Sequence, residues 1–168
     1  MSVKKEPSGR RSVQGEGKES ASPQTAAAHR AAETQLRTLV TRFAPAHVRL
    51  VAAMRRSLRK RLPTAHEVVY EYRDLFVISF SPSGHGYEGV FAIHGNESGI
   101  KLYFNQGKEL PDPLKLLKGS GKQVRWIEME GASTLTRPEV VSLIEAAIAH
   151  NAVPFESGGC GSVVIREK

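Results

Sequence analysis

Apolar residues recur at helical spacing in two stretches near the start of the chain. The first stretch begins near Ala26 and ends at Pro45, and the second runs from Pro45 to Arg61. One face of the second stretch is apolar and carries Leu50, Val51, Met54 and Leu58. Spacing of three and four residues is typical of amphipathic helices, and a proline just beyond the last turn, here Pro63, ends such a helix. The pattern therefore predicts two helices, each with one face toward a core.

From position 66 onward the apolar pattern changes to the alternation that β-strands show. Strands are predicted over residues 66–72, 75–80, 89–94, 100–104 and 124–129. Short turns join the first four strands, which favours antiparallel neighbours, because a parallel pair needs a crossover of about a dozen residues. Within the fourth strand Leu102 faces one side of the sheet, whereas Lys101 and Tyr103 face the other.

The last third of the chain predicts a third helix and a short closing strand. Thr136-Arg137-Pro138-Glu139 has the pattern of a capping box with proline in the first turn, and an apolar stripe follows to about Asn151. Residues 162–165 can add one short edge strand. The element order predicts a two-layer α+β fold with a mainly antiparallel sheet, and with the N-terminal helices and one C-terminal helix packed on one face.

Length and composition indicate one domain behind a polar tail. Residues 1–25 consist mostly of charged and small polar side chains. Such a segment cannot bury enough surface to offset an ordering entropy of about 1–2 kcal/mol per residue, so we predict a disordered tail. Residues 26–168 are predicted to form a single domain.

Several features that the sequence lacks narrow the range of functions. The one cysteine, Cys160, rules out an internal disulfide and suits a reducing compartment. No apolar run is long enough to span a bilayer, and no signal peptide follows Met1. We therefore expect a soluble, cytoplasmic protein with no membrane partner.

The formal net charge is +7, and the most concentrated basic surface is the polar half of the second helix. Its cations are Arg49, Arg55, Arg56, Arg59 and Lys60. A basic balance raises the expectation of nucleic acid or another polyanion as a partner. The alternative is a solvated face whose long side-chain stems cover apolar edges. Both interpretations stay open.

The segment Lys118-Gly119-Ser120-Gly121-Lys122 invites comparison with nucleotide-binding loops. A Walker-type loop needs Gly-x-x-x-x-Gly-Lys-Ser/Thr at the start of a helix, whereas here Leu116 replaces the first glycine and a strand follows. The remaining candidate is a small anion nest formed by Lys118, Gly119, Ser120, Gly121, Lys122 and Arg125. Otherwise the glycines end a helical turn over residues 114–117, and Gly121→Ala would then lower stability.

Other reactive side chains form no recognisable catalytic or metal pattern. His85, Glu88 and His94 come nearest to a metal cluster, but their spacing fits no known ligand set. Carboxylates occur singly, and Cys160 lies in a glycine-rich context without a histidine close in sequence. We therefore assign no catalytic residue, no metal and no cofactor, and the balance is against an enzyme.

Aromatic side chains on the predicted strands allow two interpretations. They are Tyr70, Tyr72, Tyr103 and Trp126. Together they would make a platform on which nucleic-acid bases stack. At strand spacing they would equally pack within a half-buried sheet, and this second interpretation is the commoner one.

The long loop and its flanks carry a distinctive series of residues. They are Leu102-Tyr103-Phe104-Asn105-Gln106-Gly107, Leu110-Pro111-Asp112-Pro113, Leu117-Lys118-Gly119-Ser120-Gly121-Lys122-Gln123-Val124-Arg125 and Arg137-Pro138-Glu139-Val140. These segments resemble the YdhG-like family of uncharacterised bacterial domains, and the resemblance covers about residues 36–165. It implies a small α+β domain with helices on one face of an antiparallel sheet, related in shape to frataxin.

Some members of that family have been described as frataxin-like iron chaperones. Frataxin-type iron binding uses an acidic ridge, whereas the polar face of the second helix here is basic. Iron delivery would need oxygen ligands gathered on one exposed face. The candidates are Glu67, Glu71, Glu128 and Glu130.

Three functions therefore follow as hypotheses. The leading one is a non-enzymatic module in which the sheet and the Lys118–Arg125 segment bind a small anionic ligand or a protein partner. The first alternative is nucleic-acid or polyanion binding through the basic helix face. The second alternative is a frataxin-like iron chaperone.

Overall fold

The computed structural model describes residues 23–167. The predicted tail, residues 1–25, lies outside this range except for its last three positions. There Thr25 caps the first helix, because its Oγ1 accepts a hydrogen bond from the Ala28 N–H at 3.1 Å. This helix, α1, spans Ala26–Phe43, and a 3₁₀ turn over Pro45–His47 leads into α2, Val48–Arg61. Both predicted helices are confirmed.

One mixed sheet forms the second layer. Its strands are β1 His66–Glu71, β2 Phe76–Ser81, β3 Phe91–Asn96, β4 Gly99–Phe104, β5 Arg125–Met129 and β6 Val163–Arg166. The spatial order is β5-β4-β3-β2-β1-β6, with antiparallel neighbours from β5 to β1 and a parallel pair between β1 and β6. The predicted α+β class, the antiparallel meander and the closing edge strand are therefore confirmed.

The sheet has a helix-covered face and an outer face. Alternate residues such as Phe76, Ile93 and Leu102 join the apolar residues of all three helices in one core cluster. On the outer face, the connection between β2 and β3 folds over β1 and β2. Its Gly86 donates its N–H to the Tyr70 hydroxyl oxygen at 3.1 Å and accepts a hydrogen bond from the Ser79 hydroxyl at 2.8 Å. In the strand order, β3, β4 and β5 lie on the other side of β2 from β1.

The third helix, α3, spans Pro138–His150 and has its proline in the first turn, as predicted. The predicted capping box is wrong. Arg137 is the N-cap residue and makes no side-chain cap hydrogen bond. Thr136 instead ends a 3₁₀ segment over Ala132–Thr136, where its hydroxyl donates to the Ser133 carbonyl at 2.8 Å. The hydroxyl that the sequence pattern assigned to the helix is used by the turn before it.

Residues 105–124, which we call the edge loop, connect β4 to β5. The predicted helical turn over residues 114–117 is not present. The Asp112 carboxylate instead accepts hydrogen bonds from the Leu116 and Leu117 N–H groups at 2.9 and 2.8 Å, and Lys115 between them has a φ of 53°. A short side chain that binds backbone N–H groups competes with helix formation, and this competition explains the difference.

Candidate functional site

Three aromatic rings stack on one another across the outer face of β3, β4 and β5. The centroids of His94 and Tyr103 are 3.8 Å apart at an interplanar angle of 20°, and those of Tyr103 and Trp126 are 5.4 Å apart at 24°. We call these three residues the aromatic stack. Tyr70 and Tyr72 form a separate tilted pair on the β1 side of the sheet. The predicted four-residue platform is therefore divided, and Tyr103 presents its ring faces to its two neighbours.

The edge loop packs directly against this stack. Lys118 and Trp126 exchange two backbone hydrogen bonds, at 2.8 and 3.0 Å, so the loop extends the sheet by one bridge. Next to it, Gly119 has a φ of +117°, and a Cβ atom at this position would lie 2.5 Å from Cζ3 of Trp126. Only glycine fits here, both by conformation and by contact. The loop and the stack therefore form one structural unit.

A single lysine on this surface lacks a carboxylate partner. The Lys101 ammonium lies 5.4 Å from the centroid of the Trp126 ring, within the range of a cation–π contact. Over residues 23–167, no carboxylate oxygen lies within 4.0 Å of this ammonium. Its neighbour Lys118 differs, because its Nζ lies 3.2 Å from Oε2 of Glu128 in an exposed ion pair. Lys101 thus makes no ion pair with a carboxylate of the described residues, although Glu128 occupies the opposed position on β5.

The outer face opens into a cleft of about 440 Å³ at the end of the β3–β4 hairpin. Leu75 is a half-buried apolar residue on its lining, whereas Ile100 and Met129, which also border it, are buried in the core on the helix-facing side. Its lining is otherwise mostly polar and charged, with His94, Asn96, Ser98, Lys101, Tyr103, Glu128 and Glu130. A cleft of several hundred Å³ lies in the size range of small-molecule sites.

The two hydrogen-bonding rings of the stack are uncharged at neutral pH. Burial, together with the nearby Lys101 ammonium, lowers the pKa of His94 to about 4. Burial raises the pKa of Tyr103, so its hydroxyl keeps its proton. A neutral imidazole offers one donor and one acceptor, and a phenol can donate. The cleft therefore presents the Lys101 cation and several neutral donors beside the carboxylates of Glu128 and Glu130.

Within the predicted anion nest, residues 118–125, only Gly119 has a positive φ. The Lys118 N–H donates to the Trp126 carbonyl at 2.8 Å and is therefore already used by the sheet. The Arg125 guanidinium folds back and donates to the Gly121 and Val124 carbonyls at 2.8 and 2.7 Å. Ser120 and Lys122 are exposed. Of the six predicted residues, Lys118 and Gly119 lie against the aromatic stack, and Arg125 closes the loop.

The predicted basic face of α2 is split by the structure. Arg49, Arg56 and Lys60 share one exposed side of the helix, and we call them the basic stripe. Arg55 and Arg59 turn instead toward acidic groups, with Arg55 Nη2 and Arg59 Nη2 at 2.8 and 3.3 Å from Oε1 of Glu33. Two of the five candidate cations are therefore engaged inside the protein, and three remain for an external partner.

Arg55 and Arg59 form an ion-pair cluster with Glu33 and Glu67. The part that the two glutamates play in it was not predicted. Glu67 is 2% exposed, and its carboxylate receives a hydrogen bond from the Nε–H of Arg55 at 2.6 Å. Burial opposes the charge of Arg55, but hydrogen bonds to Glu33 and Glu67 outweigh it and raise the pKa of the guanidinium above its ordinary value. The hydrogen bond from Arg55 holds the pKa of Glu33 below its usual range, against the opposing effect of burial. We interpret this cluster as structural, since its charges compensate one another.

The carboxylates that an iron site would need are not gathered on one face. Glu67 lies in the buried cluster, and Glu71 pairs with Arg42. Glu128 and Glu130 belong to the opposite end of the sheet, four strand spacings or roughly 19 Å from β1. In the part of the chain that the structure covers, no three His, Cys, Asp or Glu side chains are arranged to hold a metal ion.

Comparisons with known proteins identify no relative. No family model matches the chain, and neither the curated proteins nor the solved structures contain a match. The resemblance to the YdhG-like family therefore stays a prediction. Among residues 23–167, no helix combines the length and the apolar character needed to cross a membrane.

Proposed function

We propose that this chain is a non-enzymatic binding module that holds a small anionic ligand on the outer face of β3, β4 and β5. The observation that carries the proposal is the Lys101 ammonium, which has no carboxylate partner within the described chain and lines a cleft of about 440 Å³. An anion in this cleft would meet a cation already held against Trp126. Lys118 of the edge loop pairs with Glu128 of the cleft lining, and Gly119 lies against the Trp126 ring.

The chemistry of the lining supports binding rather than catalysis. A general base works best when its pKa lies near the operating pH, and the pKa of His94 is about 4. Glu128 and Glu130 are exposed and pair with Lys118 and Arg137. The groups that line the cleft are therefore suited to orienting a ligand, and poorly suited to moving a proton at neutral pH.

A titration monitored by fluorescence tests this proposal, because Trp126 is the only tryptophan of the chain. A panel of small carboxylates and phosphates, each with a neutral amide or alcohol counterpart, is added to the wild type and to Lys101→Met. We expect a saturable change in Trp126 emission with at least one anion, weaker with its neutral counterpart and lost in Lys101→Met. Lys108→Met, at an exposed lysine of the edge loop, is the matched control. Equal responses of the two variants would contradict the proposal.

The basic stripe favours a second candidate function, which is the binding of a polyanion such as nucleic acid. Arg49 and Arg56 are seven residues apart and Lys60 follows four later, so the three side chains follow one line along α2. No carboxylate of the described residues pairs with any of them. Three cations in a row can contact a phosphate backbone, although they form a small footprint for such a partner.

The remaining expectations from the sequence belong to the same proposal. Membership of the YdhG-like family and a cytoplasmic location both suit a module of this kind, and the location also suits the free thiol of Cys160. A protein partner on the outer face is the alternative if no small ligand binds. Iron delivery gains no support from the placement of Glu67, Glu71, Glu128 and Glu130.

A further inference from the structure

Building on the second candidate function, the binding of a polyanion, we infer that α1 supplies part of the site and that the partner is the phosphate backbone of a nucleic-acid duplex, bound independently of its base sequence. The residues that α1 adds are Arg30 and Arg37, which we call the α1 pair. Three observations lead to this site: the placement of the α1 pair, the compensation of the carboxylate beside it, and the kind of side chain that the two helices expose.

The α1 pair is exposed, and its members are seven residues apart, or about 10.5 Å along the helix axis. Arg30 lies three residues before Glu33 and Arg37 four residues after it, and such positions share one side of a helix. Over residues 23–167, no carboxylate oxygen lies within 4.0 Å of either guanidinium. Both cations are therefore available to an external anion.

Glu33 also marks the line along which α1 meets α2. Arg55 and Arg59 reach it from α2, with their Nη2 atoms 2.8 and 3.3 Å from Oε1 of Glu33. Arg56 and Lys60 each follow one of these arginines by one residue, a rotation of about 100° on a helix, and both are exposed. The α1 pair and the basic stripe therefore flank the same helix contact, one row on each helix.

The carboxylate between the two rows is already compensated. Glu33 accepts hydrogen bonds from Nη1 and Nη2 of Arg55 at 3.0 and 2.8 Å, and Arg59 also pairs with it. It therefore adds little repulsion toward a phosphate. The two rows together present five exposed cations, which are Arg30, Arg37, Arg49, Arg56 and Lys60. Four of the five are arginines, whose planar set of donors suits phosphate oxygens.

The side chains around these cations favour nucleic acid over a lipid surface or an acidic protein. Among the described residues, the large hydrophobic side chains that are exposed are Tyr72, Tyr87, Leu114 and Val124, and none of them belongs to α1 or α2. A helix that binds a lipid surface buries an apolar face in it, and protein interfaces have apolar centres. The apolar faces of α1 and α2 are instead packed in the core.

The lack of exposed aromatic rings on α1 and α2 favours a duplex over a single strand. Proteins that bind single strands stack the bases on aromatic side chains, whereas contacts to the phosphates of a duplex carry no sequence information. Packed helices lie about 8–10 Å apart, so two rows of long side chains can reach phosphates on both sides of a major groove about 12 Å wide. We therefore expect duplexes of different sequence to bind equally well.

The salt dependence of binding measures the contribution of α1. Fluorescence anisotropy follows the binding of labelled DNA duplexes of two unrelated sequences, an RNA duplex and a DNA single strand, each at several salt concentrations. Each phosphate neutralised on duplex DNA contributes about −0.9 to the slope of log affinity against log salt, so Arg30→Ala with Arg37→Ala should make the slope shallower by about 1.8. The two DNA sequences should bind equally, and the single strand should bind more weakly.

Two control variants separate charge from position. Arg30→Lys with Arg37→Lys keeps both charges and should keep the wild-type slope. Arg73→Ala with Lys108→Ala removes two exposed cations from loops and should keep it as well. An equal change of slope in this loop variant and in the alanine variant of the α1 pair would overturn the inference.

Three further outcomes would also contradict it. They are tighter binding of the single strand, a clear preference for one of the two DNA sequences, and binding to vesicles of equal parts phosphatidylcholine and phosphatidylglycerol without binding to a duplex. If removal of the basic stripe changes the slope while removal of the α1 pair does not, only this inference fails. If no duplex binds, the second candidate function fails with it.

Discussion

The Nε atom of Arg55 lies 2.6 Å from Oε2 of Glu67, and this ion pair joins α2 to the inner face of β1. Glu67 shares its register position with Phe80, a core residue, so its carboxylate points into the helix-facing layer. The Arg55 side chain is only 11% exposed. Arg55, which was predicted from the sequence as a possible phosphate contact, is therefore part of the protein interior.

The first prediction concerns the removal of that cation. Arg55→Ala leaves the Glu67 carboxylate buried with only Arg59 beside it, at 2.7 Å from Nε. Breaking a buried pair by removing one partner costs about 3–5 kcal/mol, and we expect a loss of this order in the free energy of unfolding. Urea denaturation measures it. Arg56→Ala, one residue along on the exposed side, should cost about 0.5 kcal/mol or less. Equal losses in the two variants would show that Arg55 is not structural.

The second prediction separates two glycines of the edge loop. Gly119→Ala should destabilise the protein by about 1–3 kcal/mol, because the new Cβ would meet the Trp126 ring and the backbone is held at a positive φ. At Gly121 an added Cβ would meet only the Val124 carbonyl oxygen, at 3.9 Å, so Gly121→Ala should be nearly neutral. This corrects the expectation that Gly121 requires its conformational freedom. The melting temperatures of the two variants measure this difference. A larger loss of stability in Gly121→Ala than in Gly119→Ala would contradict the prediction.

The third prediction is a pH dependence that originates in His94. Its pKa is about 4 in the folded protein and 6.5 ordinarily, so between these values the unfolded chain binds the extra proton. Stability should therefore be complete above pH 6.5 and decrease as the pH falls toward 4, with a slope of at most about 1.4 kcal/mol per pH unit. Denaturation curves across this range measure the slope. His94→Gln should flatten it, and an unchanged profile in that variant would assign the dependence to other groups.

The fourth prediction concerns how much the basic stripe can contribute to the binding of a polyanion. Each neutralised phosphate of duplex DNA contributes about −0.9 to the slope of log affinity against log salt, so three cations contribute about −2.7. If a polyanion binds α2, the wild type and the triple variant Arg49→Ala, Arg56→Ala, Lys60→Ala should differ by about this slope. Binding isotherms at several salt concentrations give both values. A triple variant with the wild-type slope would remove α2 from any polyanion site.

Much of the fold follows from local pattern, because helical and strand periods are properties of neighbouring residues. The alternation in β4 also placed Lys101 and Tyr103 together on the face opposite Leu102, and the structure confirms this placement. The edge loop did not follow from pattern. Its conformation depends on the Asp112 carboxylate, which accepts hydrogen bonds from residues four and five positions later.

The residues of the candidate site come together through strand register, which short-range spacing does not reveal. The aromatic stack draws one ring from each of three strands. Helix packing acts in the same way on the structural cluster, where Glu33 and Arg55 are 22 residues apart. One signal was present in the sequence. Glu67 alternates with Val69 on a strand that packs against the core, and a charge at an inward position needs a partner.

Backbone amide chemical shifts would show directly whether an anion binds on the outer face of β3, β4 and β5. The wild type and Lys101→Met would each be titrated with the anion that changes Trp126 emission most. We expect the shifted amides to cluster on β3, β4 and β5 around His94, Lys101 and Tyr103, and this cluster to disappear in Lys101→Met. A cluster on α2 around Arg49, Arg56 and Lys60, or the same shifts in both proteins, would contradict this expectation.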